Sequence, residues 1–124
     1  TVTISGSTIK ATSTINSYAV TISKYSSGYA IRTASGYYIG RTSNANGMNT
    51  STSTKYTNTI SVASGGAVTI KSGGAYLRFN TTSGQDRFRY FKSSTYSSQK
   101  AICLYKLSGS TGSTTSTTYY TTNT

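Results

Sequence analysis

A chain of 124 residues, 34% of them apolar, has the size of one domain built on a single core. It holds no His and one carboxylate, Asp86, against 12 Lys or Arg, which excludes paired-carboxylate glycoside hydrolysis, Ser-His-Asp and Cys–His nucleophiles and Cys/His zinc centres. The formal net charge of +11 would draw nucleic acid, anionic polysaccharide or an anionic membrane surface.

Read in order, the chain alternates polar and apolar residues with period two. Ser-Gly, Gly-Gly and Asn-Gly turns interrupt it about every eight to twelve residues, the signature of an all-β sandwich or barrel. The alternation predicts strands at Val2–Ile4, Ile9–Thr12, Tyr18–Lys24, Tyr29–Ala34, Tyr37–Arg41, Tyr56–Val62, Ala67–Lys71, Ala75–Asn80, Arg87–Lys92 and Lys100–Leu107. No helix is predicted. Without Pro the turns rely on Gly and Asn, which tolerate positive φ. The chain opens at Thr1 inside an alternating Thr1-Val2-Thr3-Ile4 pattern, which reads as a piece cut from a longer protein. No apolar run nears the roughly 18 residues of a membrane-spanning helix, so no membrane insertion is expected.

A repeat runs through the middle. Tyr29-Ala30-Ile31-Arg32 corresponds to Val68-Thr69-Ile70-Lys71, and Gly36-Tyr37-Tyr38-Ile39 to Gly74-Ala75-Tyr76-Leu77. Units of about 40 residues with three or four short strands point to a β-trefoil-like fold or a related antiparallel barrel or sandwich of about ten strands. Its third unit would combine Lys100–Leu107 with strands near or before the N-terminus. Residues 1–107 form one module. The Ser/Thr-rich tail 108–124 is by composition a linker, but Thr117 to Thr122 also suit a strand that pairs with an exposed edge, including that of a neighbouring molecule.

With Tyr the most abundant apolar residue, the core must use rings whose hydroxyls stay at water or on backbone partners. Cys103 lies in an apolar run and reads as a small buried residue. Neither GxxxxGK[ST] nor GxGxxG occurs, Asp86 alone cannot build a tight calcium site, and no cofactor or metal is expected. Alternation does place Tyr38, Tyr76, Arg78, Arg87 and Arg89 on outward positions. If their strands are neighbours they form an aromatic and cationic surface for phosphate, sulfate or carboxylate groups, or for stacking sugars or bases. Asn49-Thr50-Ser51 and Asn80-Thr81-Thr82 match the glycosylation acceptor pattern, as chance allows in so Ser/Thr-rich a chain.

SGYYIGRTSNANGMNTSTSTKYTNTISV (35–62), GGAYLRFNTTSGQDRFRYFKSS (73–94) and QKAICLYKL (99–107) together resemble an all-β accessory module of secreted multidomain bacterial proteins, of the kind accompanying extracellular nucleases and surface proteins with immunoglobulin-like domains. The resemblance covers about Ser17 to Leu107, and Cys103 stands where the family more usually has a polar residue. It implies no catalytic residue and an accessory role outside the cell: adhesion, substrate attachment or spacing. In similar modules a GKYLIVY-like strand precedes the part corresponding to Thr1, so its absence implies an open edge beside Lys100–Leu107, to be filled by a missing piece or by a neighbour's tail strand. The expected function is therefore a non-catalytic secreted or cell-surface binding and adhesion module for anionic polysaccharide, glycan or nucleic acid. The alternative is a structural subunit of an extracellular filament that self-associates by strand exchange.

Overall fold

In the computed structural model the chain is all-β. The structure describes residues 13 and 17–105 in full and, as backbone, 4–5, 8–9, 106 and 116–123. The strands are β1 (Ile4–Ser5), β2 (Thr8–Ile9), β3 (Val20–Tyr25), β4 (Gly28–Arg32), β5 (Tyr38–Gly40), β6 (Asn49–Ser51), β7 (Thr59–Val62), β8 (Ala67–Ser72), β9 (Ala75–Asn80), β10 (Arg87–Phe91), β11 (Ile102–Lys106) and β12 (Ser116–Asn123). From residue 17 to 106 there is no α-helix. A single 3-10 turn at Tyr96–Ser98 leads into β11.

β1 and β2 pair with each other, and the other ten strands form one antiparallel sheet. Its pairing returns on itself. β3 pairs with β4, Tyr29 of β4 bridges Asn58 just before β7, β7 pairs with β8, β8 with β11, β11 with β12, and β12 with β3. Two hairpins extend from this path: β5–β6 from the end of β4, and β9–β10 from the end of β8. The repeat seen in the sequence is thus a repeat of structure, since β3 to β6 and β7 to β10 follow the same order of pairing. The third unit differs from the expectation. β11 takes β12 as its partner, while β1 and β2 pair only with one another among the described pairings.

Alternation explains the core. On β8 the pattern puts Val68 and Ile70 inside and Thr69 and Lys71 outside; on β9 it buries Ala75 and Leu77. With Ile22, Ile31, Ile39, Tyr90 and Ile102 these residues form one cluster. Six tyrosines, Tyr29, Tyr38, Tyr56, Tyr76, Tyr96 and Tyr105, are half-buried as their amphipathic character requires. Tyr18, Tyr25 and Tyr37 are exposed, and Tyr90 is fully buried at the centre.

Its hydroxyl donates a hydrogen bond to Asn58 Oδ1, and Asn58 is itself fully buried. The Asn58 amide donates to the Ile39 carbonyl at 3.1 Å and the Tyr56 carbonyl at 3.3 Å. Its backbone N–H and carbonyl both bond to Tyr29, at 2.8 and 2.7 Å. One asparagine thereby ties the first repeat to the second, and every polar atom it brings into the core has a partner, the condition for burying it cheaply. Gly28 makes room for this crossing, since a Cβ there would strike the Asn58 carbonyl.

Candidate functional site

The site is the outer face of the β9–β10 hairpin. Gly73 and Gly74, with φ of 58° and 91°, make the two-residue turn between β8 and β9. Both positions need positive φ, which glycine adopts without strain. This turn sets Lys71 opposite Tyr76. At the far end Asn80 Oδ1 accepts the Thr82 N–H at 2.9 Å and the Gln85 N–H bonds the Thr82 carbonyl at 2.8 Å, turning the chain into β10. The resulting register opposes Arg87 to Asn80, Arg89 to Arg78 and Phe91 to Tyr76 on one pleat, and Phe88 to Phe79 on the other, where their rings meet edge-on at 4.9 Å.

Of the five outward residues predicted, Tyr76, Arg78, Arg87 and Arg89 share this face. Tyr38 does not join them. It lies in the first repeat, opposite Arg32 on β4, with the Arg32 guanidinium and the Lys55 ammonium each 5.8 Å from its ring centre. Lys55 also lies 5.7 Å from the ring of Tyr25. The two repeats therefore carry the same device, a cation across the strand from a tyrosine ring: Arg32 with Tyr38, and Lys71 with Tyr76 at 5.4 Å.

Tyr96, from the 3-10 turn, completes the second cluster. Its ring stacks on Tyr76 with centroids 3.9 Å apart and planes 12° apart, and the Arg78 guanidinium sits 4.9 Å from its centre. Arg78 also donates to the Gln99 carbonyl at 3.2 Å. Lys71, Tyr76, Tyr96 and Arg78 thus form a chain of cation–ring and ring–ring contacts. The rings have one another and the cations as neighbours, so they rigidify the arginine more than they offer a platform for a sugar or a base.

The charges are unbalanced. Arg78 and Arg89 stand directly across the strand pair, a placement that ordinarily destabilises a sheet. Among the described residues neither has an ion-pair partner, and Asp86 forms no ion pair with them. The Arg89 side chain makes no hydrogen bond among the described residues and the residue is half-exposed, and Arg87 is exposed. Arg41 shows the contrast of a structural arginine: it donates to the Ala45 carbonyl at 3.0 Å, the Asn46 carbonyl at 3.1 Å and Asn49 Oδ1 at 3.1 Å, and so shapes its own loop.

Other expected features resolve as follows. Cys103 is half-buried rather than buried, because it lies on the pleat of β11 opposite to Ile102. The side-chain oxygens of Asn49 and Asn80 accept hydrogen bonds, from Arg41 Nη1 at 3.1 Å and from the Thr82 N–H at 2.9 Å. Among the described residues no cluster of His, Cys, Asp or Glu could hold a metal ion, and no helix is long and apolar enough to cross a membrane. No family model, curated protein or solved structure matches the chain.

Proposed function

We propose that the protein is a non-catalytic binding and adhesion module of the cell exterior, and that the β9–β10 face with Arg78, Arg87 and Arg89 holds an anionic polysaccharide. The observation that carries this reading is the cross-strand register of Arg78 and Arg89, without a counter-charge among the described residues. A sulfate or carboxylate group that reached both arginines would offset their like-charge repulsion with charge-assisted hydrogen bonds. The engagement of Tyr76 with Tyr96 supports an ion-pairing ligand over a neutral glycan that stacks on rings. The filament alternative called for a vacant edge beside residues 100–107. That edge is paired with β12 of the same chain, so the binding reading has the stronger support.

The test is titration of the whole chain with dextran sulfate, a polyuronate and duplex DNA over a range of salt. Binding to the polysaccharides at low salt, falling steeply as salt rises, is the expected result. Arg89→Gln should weaken it several-fold and reduce the logarithmic salt slope by about 1, with a smaller effect for Lys24→Gln, an exposed lysine on β3. No polysaccharide binding at low salt, or equal loss in the two variants, would overturn the assignment, and preference for DNA would reassign the ligand.

A further inference from the structure

Asn46-Gly47 is the only Asn-Gly pair in the chain; every other asparagine precedes Ser, Ala or Thr. Such a pair is chemically labile. The Gly nitrogen, with no side chain beside it, attacks the Asn side-chain carbonyl carbon: the N–Cγ bond forms, the Cγ–Nδ2 bond breaks, and ammonia leaves with the proton that the Gly nitrogen gives up. Water then opens the cyclic imide at either carbonyl, leaving aspartate or isoaspartate. In sum, one amide and one water become one carboxylic acid and one ammonia.

The fold requires both residues. Gly47 adopts a φ of 146°, a region that favours glycine, and a Cβ there would lie 2.9 Å from Arg41 Cζ. That guanidinium holds the Ala45 and Asn46 carbonyls and so shapes the loop. Asn46 in turn accepts the Lys92 N–H on Oδ1 at 2.9 Å. Asn44 acts alike one residue further along: its Oδ1 accepts the Ser93 N–H at 2.8 Å and its Nδ2 donates to Ser93 Oγ at 2.7 Å. Gly47 and Tyr90 exchange both backbone hydrogen bonds, at 2.9 and 3.1 Å. The loop is thus clamped to the end of β10, the strand that carries Arg87 and Arg89.

The same contacts keep the pair from reacting. Attack needs a free Gly47 nitrogen and an Asn46 carbonyl able to turn toward it. Here the nitrogen, on a buried residue, is committed to the Tyr90 carbonyl, and the side-chain oxygen to Lys92. Lifting the loop from β10 releases both at once, and loops open locally at lower cost than the whole fold.

We propose that Asn46 is a spontaneous deamidation site held unreactive by β10, and that its conversion makes the opening of this loop permanent. In the isoaspartate product the backbone runs through the former side chain, with one added methylene between the Asn46 Cα and the Gly47 nitrogen. The loop then no longer offers Gly47 to Tyr90 and an acceptor to Lys92 in the same register. The site is separate from the arginine face, and neither assignment depends on the other.

The test is to age the whole chain in mildly alkaline buffer, folded and in guanidinium chloride, and to follow it by peptide mass spectrometry and by labelling with an isoaspartate-specific methyltransferase. In denaturant Asn46 should convert before any other asparagine. In the folded chain it should convert roughly tenfold or more slowly, because reaction waits on opening. Asn44→Ala removes both contacts with Ser93 and leaves the reacting pair intact, so it should convert faster than wild type when folded and at the same rate in denaturant. Wild-type chain enriched in isoaspartate should lose hydrogen-exchange protection at the Lys92 amide while the Ile31 amide of β4 keeps its own. Equal rates in folded and denatured wild type, a different asparagine reacting first, no acceleration by Asn44→Ala, or a Lys92 amide still protected after conversion would each overturn the proposal. The wild-type comparisons decide it even if Asn44→Ala does not fold.

Discussion

Burying the Tyr90 hydroxyl is tolerable because Asn58 accepts its hydrogen bond, and the same pair sets two measurable properties of the fold. Tyr90→Phe leaves Asn58 Oδ1 without that donor in the core and should cost about 1–3 kcal/mol at neutral pH, measured by urea denaturation with an unchanged m-value. Burial also pushes the Tyr90 hydroxyl above its ordinary range. The folded chain then keeps a proton that the unfolded chain releases near pH 10. Stability from this group is complete below about pH 10 and declines as pH rises above it. The stability gap between wild type and Tyr90→Phe should therefore shrink from about pH 10 upward, and a gap constant to pH 11 would refute this coupling. At the surface the reverse trade is expected. Arg89→Gln removes a like-charge cross-strand pair, so at low salt it should stabilise the chain by about 0.2–1 kcal/mol while weakening the polyanion, a combination that denaturation and titration of one sample would expose.

Strands were legible where a core residue recurs at every second position, as in Ile70 and Val68 or Leu77 and Ala75, because burial on one face leaves a period of two in the sequence. β6 was not, since Asn49-Thr50-Ser51 has no apolar residue and owes its pairing to β5 and to the Arg41 loop. Tyr96 was equally silent: it reaches the cationic face from a short Ser/Thr-rich turn, and no local pattern announces the ring it will meet. The separation of Tyr38 from the other four predicted residues has a like cause. Alternation states which side of a strand a residue takes, whereas which hairpin lies beside which depends on distant pairings. Gly28 shows how such a crossing is built. Any side chain there would collide with the Asn58 carbonyl, so Gly28→Ala should destabilise by about 1–3 kcal/mol. Gly65→Ala is its control, for nothing lies near that position; equal effects in thermal melts would show that the β4–β7 crossing is not tight.

At the scale of the molecule the all-β class and the internal repeat could be read from spacing alone, but the closure of the sheet could not, because its last member is a polar tail that sequence leaves between linker and strand. The charge distribution gives a prediction of its own. With a net charge of +11 and no ion pair among the described residues, added salt mainly screens repulsion. Raising it from about 0.01 to 0.15 M, where the Debye length falls from about 30 to 8 Å, should raise Tm while it weakens the polyanion. A Tm that fell over the same range would show that attractive pairs dominate. The pairing of β12 with β3 brings residues 116–119 against residues 20–23, nearly the whole length of the chain apart. Contacts this distant in sequence are slow to form, and a chain emerging from a ribosome with residue 20 first must wait for residues 116–123 before its sheet can close. Until then the edge of β3 that residues 116–119 pair stands open, and an extended strand nearby competes with them for it.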